Sequence, residues 1–141
     1  MTTEQNKSII RRFFAAFEAN DQAALKEVLA PDLVAYSPAA PGPQNCETML
    51  QGINMWDAAF SETRFTIKDL IAEGDKVATR TTLRAVHSGD FQGHPPTGRE
   101  ITLDGHTVER IKDGKIVERW AVYDQLGLMQ QLGLVPPPRQ G

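Results

Sequence analysis

The residues with the clearest capacity for chemistry lie in the last third of the chain. Asp104 and His106 are two positions apart, and Trp120 and Asp124 follow them after one short turn. A carboxylate that is removed from water has a raised pKa and can exchange a proton near neutrality, and an imidazole can orient it or polarise a carbonyl. This combination suits proton transfer at a carbon next to a carbonyl.

The hairpin around Asp113 and Gly114 decides which of these side chains share a face. If Gly114 forms a bulge after a type I turn, the even-numbered positions of the two strands align with each other. If the turn has only two residues, as in type I′, His106 shares a face with Arg119 and Tyr123 instead. We adopt the bulged register, because it alone leaves one face cleanly apolar.

In that register, the even-numbered face is predicted to point toward the helices. Its members are Asp104, His106, Val108, Ile116, Trp120, Val122 and Asp124. Polar groups buried on such a surface must bond to one another or to a ligand, since leaving them unpaired costs several kcal/mol. The opposite face, with Thr107, Glu109, Lys115 and Arg119, is predicted to meet solvent.

Three helices are predicted ahead of the strands. The first runs from about residue 3 to residue 20, where five large apolar side chains recur at helical spacing. Asp21 caps a second, short helix that includes Leu29 and that Pro31 ends. Asn45 or Cys46 begins a third helix, whose apolar stripe runs from Met49 to Phe60. Between the second and third helices, Leu33–Ser37 is predicted to be a short strand that precedes an irregular proline-rich loop.

Four long segments rich in β-branched residues follow the helices. They are Phe65–Ile71, Val77–His87, Glu100–Ile111 and Lys115–Tyr123. Consecutive strands of this kind form an antiparallel meander, and a short C-terminal helix after it is stopped by Gly133. The predicted fold class is therefore α+β, with a curved antiparallel sheet, or cone, covered on its concave face by three N-terminal helices. A strongly twisted sheet covered in this way leaves a concave space for a small molecule.

Three runs of residues resemble a known family. They are Phe91–Arg99, Asp113–Trp120 and Asp124–Gly133, which read FQGHPPTGR, DGKIVERW and DQLGLMQQLG. These runs, together with the Phe-rich first helix and the order of elements, resemble the SnoaL-like polyketide cyclases. That family belongs to the superfamily with the nuclear transport factor 2 fold, an α+β cone. The resemblance extends over essentially the whole chain.

The resemblance implies a reaction and two of its residues. Family members that act as cyclases close a ring by intramolecular aldol condensation of an aromatic polyketide ester, with a pocket Asp as acid and base and without a cofactor. Asp124 matches that position, and His106 is similar to the family's pocket histidine. Both residues have structural alternatives, since Asp124 can cap the last helix and His106 can be a satisfied structural histidine.

The substrate pocket is predicted to draw residues from the sheet, the helices and the first strand. Besides catalytic Asp124 and His106, the predicted pocket residues are Trp120, Tyr36, Asp104, Val108, Val122, Trp56, Phe17 and Arg80. The alternatives are a core position for Trp120, a surface position for Tyr36 and a solvent-facing strand position for Arg80. No metal is expected, because His87, Asp90 and His94 lack the fixed spacing of a metal site.

Composition limits the partners and the compartment. The net charge is -3, without the clustered basic residues that nucleic-acid binding needs. Cys46 is the only cysteine, so no intrachain disulfide forms and a reducing cytoplasm fits. No signal peptide and no membrane-spanning apolar run are evident. Residues 1–135 are predicted to form one domain, and residues 136–141 a Pro-rich tail.

The predicted function is cofactor-independent acid/base catalysis on a hydrophobic, carbonyl-bearing small molecule, and most specifically polyketide cyclisation. The alternative is a non-catalytic ligand-binding or dimerisation module, or an isomerase, dehydratase or epoxide hydrolase of the same fold. An epoxide hydrolase would place Asp104, Asp124 and a strand arginine around one water. A homodimer or larger homo-oligomer is expected through the outer sheet face, which is predicted to present Thr79, Thr81, Thr107 and Val117.

Overall fold

The N-terminal half contains amphipathic helices that begin at side-chain caps. In the computed structural model, which describes residues 2–136, α1 spans Thr3–Ala19, α2 spans Gln22–Val28 and α3 spans Cys46–Ala59. The side chain of Asp21 accepts a hydrogen bond from the backbone N–H of Ala24 at 3.1 Å, as its predicted capping role requires. The predicted tail lies outside the described residues beyond residue 136. None of the described helices is long and apolar enough to cross a membrane.

Five strands and a final helix complete the fold. They are β1 (Leu29–Tyr36), β2 (Phe60–Glu73), β3 (Lys76–His87), β4 (Glu100–Lys112), β5 (Lys115–Tyr123) and α4 (Gln125–Gln131). The strand order is β1-β5-β4-β3-β2, and the predicted meander of β2 to β5 is antiparallel. The α+β cone is thus confirmed. Because β1 pairs with β5 in parallel, the five-stranded sheet is mixed, and it is not closed.

Two strands begin several residues earlier than predicted. The prediction places Leu29 in the second helix, but Leu29 is the first residue of β1; it places Phe60 in the third helix, but Phe60 begins β2. Both residues are fully buried, so helical spacing did not distinguish them from buried strand positions. Pro31 lies within β1 and not at a helix end. This edge strand accommodates it where the pairing with β5 is interrupted between Leu29 and Val34.

The helices pack on the concave face of the sheet through aromatic side chains. Phe14 and Phe17 of α1 both contact Phe65 of β2, with ring centroids 4.9 Å apart in each pair. At the other end of the sheet, Gln131 of α4 donates to the carbonyl of Thr102 and accepts from its N–H, each at 2.8 Å. The Gln131 amide thereby satisfies the backbone hydrogen-bonding groups of Thr102, in the part of β4 that extends beyond the end of β5. These contacts fix both walls of the concave space.

The β4–β5 hairpin has the predicted pairing parity beyond Val117, but it does not have the predicted turn. Asp113 and Gly114 form a two-residue turn with φ values of 51° and 76°, and Lys112 pairs with Lys115. A two-residue turn with both φ values positive is the type I′ alternative. Val117 is then an additional residue on β5, which restores the alignment of even with even positions beyond it. His106 therefore lies opposite Val122, as in the bulged register.

Candidate functional site

The predicted orientation of that hairpin is wrong. The odd-numbered face of β4 points toward the helices, and its buried positions include Ile101, Leu103 and Ile111. The even-numbered positions Asp104, His106, Val108, Trp120 and Val122 are on the outer, solvent-facing side. Ile116, on the turn side of the irregularity at Val117, is buried in the core as predicted. The physical reason is that Glu109 and Arg119, read as solvent-facing charges, neutralise each other in the interior. The hydrophobic residues at both ends of β4 then decide which face is buried.

A cavity of about 180 Å³ lies between α1, α3 and the concave face of the sheet. Its apolar walls include Phe17, Met49, Ile53, Trp56, Phe65 and Leu103. Its polar groups are Ser37, Gln44, Arg119, Tyr123 and Gln125. Of the predicted pocket residues, the structure therefore brings Phe17 and Trp56 to this cavity, which we call the inner pocket. A mostly apolar wall with a few polar groups is typical of a small-molecule site.

Trp56 is held rigidly on the helical wall of the inner pocket. Its indole ring stacks on Phe60 with centroids 4.1 Å apart and planes 17° from parallel. Its Nε1–H donates to the hydroxyl of buried Thr63 at 3.1 Å. Since both the ring face and the ring nitrogen have partners, the other ring face can serve as a fixed apolar surface for a ligand.

The sheet side of the inner pocket contains a buried ion pair. Arg119 Nε donates to Glu109 Oε2 at 2.9 Å, and the hydroxyl of Thr107 donates to Glu109 Oε1, also at 2.9 Å. Glu109 is 0% exposed, and burial raises its pKa even though Arg119 and Thr107 oppose the shift. The Arg119 guanidinium also lies over the ring of Phe13, 4.9 Å from its centroid. Glu109 thus holds one edge of the Arg119 guanidinium, and Phe13 packs against one of its faces.

Tyr123 connects this ion pair to the inner pocket. Arg119 Nη2 donates to the Tyr123 hydroxyl oxygen at 3.3 Å, which leaves the phenolic hydrogen available for another acceptor. Burial raises the pKa of Tyr123, and the nearby Arg119 offsets only part of that rise. Burial by itself lowers the pKa of Arg119, but Tyr123 and Glu109 outweigh it and raise the pKa. At neutral pH the hydroxyl is therefore a neutral donor beside a permanent cation.

Gly105 makes room for the Tyr123 ring. The two residues are paired across β4 and β5, and a Cβ atom at position 105 would lie 2.5 Å from both Cδ1 and Cε1 of the ring. The ring therefore lies across the backbone of the neighbouring strand. A side chain at position 105 would displace the Tyr123 hydroxyl from its place beside Arg119.

Two groups of this site can donate hydrogen bonds to a ligand's carbonyl oxygen. Within residues 2–136, the hydrogen bonds of the Arg119 guanidinium run through Nε to Glu109 and through Nη2 to Tyr123. Nη1 is left without a protein partner in a residue that lines the inner pocket. Arg119 Nη1 and the Tyr123 hydroxyl can thus donate to a ligand oxygen. Two fixed donors, one of them charged, can stabilise the negative charge that develops on a carbonyl oxygen during enolate formation.

Asp124 is a helix cap at the edge of the inner pocket. Its Oδ1 accepts a hydrogen bond from the N–H of Gly127 at 2.8 Å, and its side chain is exposed. The prediction of a desolvated Asp124 is therefore wrong, because the first turn of α4 holds the carboxylate in solvent. Its neighbours in the chain, Tyr123 and Gln125, both line the inner pocket. An acid/base role for Asp124 stays a prediction.

The outer face of the sheet holds most of the other predicted pocket residues. They are Tyr36, Arg80, Asp104, His106, Val108, Trp120 and Val122. The prediction that Asp104, His106, Val108, Trp120 and Val122 face the helices is wrong, and for Tyr36 and Arg80 the structure has the surface alternative. Arg80 is ion-paired with Asp69 at 2.6 Å, and Asp104 accepts from the hydroxyl of Thr82 at 3.0 Å. With Asp104 and Arg80 outside, the Asp-Arg-Asp arrangement of an epoxide hydrolase is not assembled in the inner pocket.

The histidine-bearing loop between β3 and β4 has a structural arrangement. His87 is fully buried, and its Nδ1 lies 3.1 Å from the backbone N–H and 3.0 Å from the hydroxyl of Thr97. His87 thereby anchors the far end of the loop to the end of β3. Among the described residues, no three His, Cys, Asp or Glu side chains converge as metal ligands would.

Known proteins are similar to this chain over nearly its full length. The family model of the SnoaL-like polyketide cyclases matches residues 8–132. The aklanonic acid methyl ester cyclase DauD of Streptomyces sp. (strain C5) is 30% identical over 139 residues, covering 94% of this chain and 84% of DauD. DnrD of Streptomyces peucetius, with the same activity in its name, is 31% identical over 116 residues, covering 82% of this chain and 78% of DnrD.

A solved structure agrees with these sequence similarities. The crystal structure of wild-type IdmH from Streptomyces antibioticus superimposes with a TM-score of 0.84 at 34% identity, covering 92% of this chain and 99% of IdmH. The agreement extends over helices and sheet together, so it supports the arrangement in which the two layers enclose the inner pocket.

Proposed function

Because the chain belongs to the SnoaL-like polyketide cyclase family, we propose that it catalyses ring closure of a carbonyl-bearing hydrophobic molecule in the inner pocket. The observation that carries the proposal is the hydrogen-bonded row Glu109–Arg119–Tyr123, of which Arg119 and Tyr123 line a mostly apolar cavity. Such donors lower the energy of an enolate, which is the intermediate that aldol ring closure requires.

The proposed reaction is an isomerisation. A base removes a proton from the carbon next to the bound carbonyl, and the resulting enolate oxygen is held by Arg119 Nη1 and the Tyr123 hydroxyl. The enolate carbon then attacks a second carbonyl of the same molecule, and the new alkoxide takes up a proton. One C–C bond forms, no atom is lost, and no oxidant or reductant takes part.

The cavity size limits how much of the substrate is enclosed. An apolar cavity of about 150 Å³ holds one benzene molecule, and the inner pocket measures about 180 Å³. The reacting ring and its carbonyl group therefore fill the inner pocket, against Trp56 and Phe17. The rest of a multi-ring substrate projects through the mouth, beside Gln125.

The direct test is product analysis with two substrates of different size. Purified protein is incubated with aklanonic acid methyl ester, the substrate in the names of DauD and DnrD, and with a single-ring aromatic β-keto ester. Chromatography coupled to mass spectrometry should show a new compound of unchanged mass. Quenching of tryptophan fluorescence without turnover would favour a binding protein, and neither binding nor turnover would overturn the proposal.

The non-catalytic alternative is supported by one observation, the exposure of Asp124. A carboxylate that only caps α4 leaves the inner pocket without a base among its lining residues in the described part of the chain. Under this alternative, the same donors bind a carbonyl-bearing ligand without converting it. The product analysis above separates the two functions.

Asp124→Asn is expected to separate the capping role from the acid/base role. Asparagine caps helices about as well as aspartate, so the free energy of unfolding should change by less than about 0.5 kcal/mol. Asparagine cannot accept the substrate proton, so ring closure should slow by about 10²–10⁴-fold, the range typical of a general base. Urea unfolding and initial rates provide the two measurements.

Asp124→Ala is the matched comparison, because it removes both roles. It should be as slow as the Asn variant and also about 1 kcal/mol less stable. Wild-type rates in the Asn variant would show that Asp124 is a cap alone.

We further propose that the outer sheet face pairs with a second copy of the chain. Six large hydrophobic residues are exposed within residues 2–136, and four of them, Tyr36, Ile71, Trp120 and Val122, lie on this face. The Tyr36 and Trp120 rings are nearly parallel, with centroids 6.0 Å apart. The predicted flat threonines do not contribute, because Thr79, Thr81 and Thr107 are buried on the inner face.

Trp120→Arg is expected to convert the homodimer to monomer. A buried, unpaired charge at the centre of a symmetric interface is present twice, which makes the effect large. Analytical ultracentrifugation measures the state of each variant. Met55→Arg is the control, because Met55 is 70% exposed on α3, away from this face. A monomeric wild type, or a dimeric Trp120→Arg variant, would contradict the interface.

A further inference from the structure

Glu109 has no route to a ligand of its own. It is 0% exposed, and both of its carboxylate oxygens are engaged, one by Thr107 and one by Arg119. It is absent from the lining of the inner pocket, which begins at Arg119. Any effect of Glu109 on a bound molecule therefore passes through the guanidinium.

The charge on Glu109 determines the net charge next to the Tyr123 hydroxyl. With Glu109 ionised, the cation of Arg119 is compensated, and the Tyr123 hydroxyl lies next to a neutral pair. Without that charge, Tyr123 would be the nearest group able to balance a cation that is largely removed from water. The tyrosinate would then be less disfavoured than in the wild type, since an opposite charge in contact favours the charged form.

We propose that Glu109 is a positioning residue that acts through Arg119, keeping the guanidinium compensated so that Tyr123 meets the substrate as a neutral hydrogen-bond donor. This inference rests on the proposed function only in assigning the donor to catalysis. The arrangement is sequential: Thr107 fixes Glu109, Glu109 compensates Arg119, and Arg119 supports the hydroxyl of Tyr123.

The same groups explain why the donor is neutral in the wild type. Burial is the main cause of the raised pKa of Tyr123, and the negative charge of Glu109 adds to the rise. Arg119 acts in the opposite direction. Removing the Glu109 charge leaves Arg119 unopposed, so the pKa of Tyr123 should fall. A residue that served only to pack the core would not produce this change.

The test is an ultraviolet titration of Tyr123 in the free protein. The chain has two tyrosines, so a Tyr36→Phe background leaves Tyr123 as the sole source of the tyrosinate absorbance near 295 nm. In this background Glu109→Gln should shift the ionisation midpoint to lower pH. Circular dichroism at each pH establishes that the titration is that of folded protein. An unchanged or higher midpoint would overturn the proposal.

Two further variants keep the test decisive if Glu109→Gln does not fold. Glu109→Asn also removes the charge, with a shorter side chain, and should shift the midpoint in the same direction. Glu109→Asp keeps the charge and should restore the wild-type midpoint. An unshifted midpoint in folded Glu109→Asn would also count against the proposal.

Activity gives an independent measurement of the same effect. If ring closure requires the neutral hydroxyl, kcat should decline at high pH as Tyr123 ionises, and this decline should begin at lower pH in Glu109→Gln. The titration uses no substrate, so it can succeed even if the protein does not catalyse cyclisation. Conversely, product formation with an unmoved titration would preserve the proposed function and reject the role of Glu109.

Discussion

Tyr123→Phe is expected to lower kcat for ring closure by about 10²–10³-fold, the loss typical when one donor to a developing oxyanion is removed. The hydroxyl oxygen accepts from Arg119 Nη2 at 3.3 Å, so its hydrogen is the donor that the variant loses. The ring remains, and the packing against Gly105 is unchanged. KM should change little, because charge on the substrate oxygen is largest in the transition state.

The measurement is the initial rate at saturating substrate, with product quantified by chromatography. Tyr36→Phe is the matched control, since it removes the same atom from a tyrosine on the outer sheet face. Its kcat should equal that of the wild type. Equal rates in Tyr123→Phe and the wild type would remove Tyr123 from the reaction and leave Arg119 as the remaining cationic donor.

Glu109→Leu is expected to lower the free energy of unfolding by about 3–5 kcal/mol, because it leaves the buried guanidinium of Arg119 without its counter-ion. The wild-type pair has an N–O distance of 2.9 Å and no exposure at Glu109. The double variant Glu109→Leu/Arg119→Met should recover most of the loss, since apolar residues of similar volume often replace a buried pair at little cost. Urea unfolding of the two single variants and the double variant completes the cycle.

The pH dependence of stability provides a second measurement on the same variants. The pKa of Glu109 is raised in the folded chain, chiefly by burial, so the folded state binds its proton more tightly than the unfolded state does. This contribution is complete below the unfolded pKa, about 4.3, and is lost as pH rises through the raised pKa. The double variant should lack that component. Equal pH profiles in wild type and double variant would contradict the assignment.

The fold was largely predictable because it depends on local patterns. Asp21 caps a helix, four β-rich segments follow one another, and each of these features is determined by neighbours in the chain. The parallel pairing of β1 with β5 was not predictable, because the two strands are separated by about 80 residues and no local pattern connects them. The confirmed elements are thus those whose structure is determined by residues close together in the sequence.

The site was predicted on the correct hairpin but on the wrong face. Parity placed His106 with Trp120 and Glu109 with Arg119, and both groupings are correct. The predicted direction is wrong because it places the charges of Glu109 and Arg119 in solvent. A signal was present in the sequence: Ile101, Leu103 and Ile111 share the parity of Glu109 over the full length of β4. Alternation over an entire strand outweighs the polarity of its middle positions.

By itself, the sequence determined the α+β class, the order of the elements, the pairing parity of β4 and β5, and the resemblance to the SnoaL-like polyketide cyclases. Those properties follow from periodicity, capping residues and motif runs, all of which are local. Only the tertiary structure decided that Glu109, Arg119 and Tyr123 form the polar wall of the inner pocket, while His106 and Trp120 face outward. The physical reason is that burying one charge without its partner is strongly unfavourable, so both residues must face the interior. Whether they do depends on the turn, on the bulge in β5 and on the helices that cover the sheet.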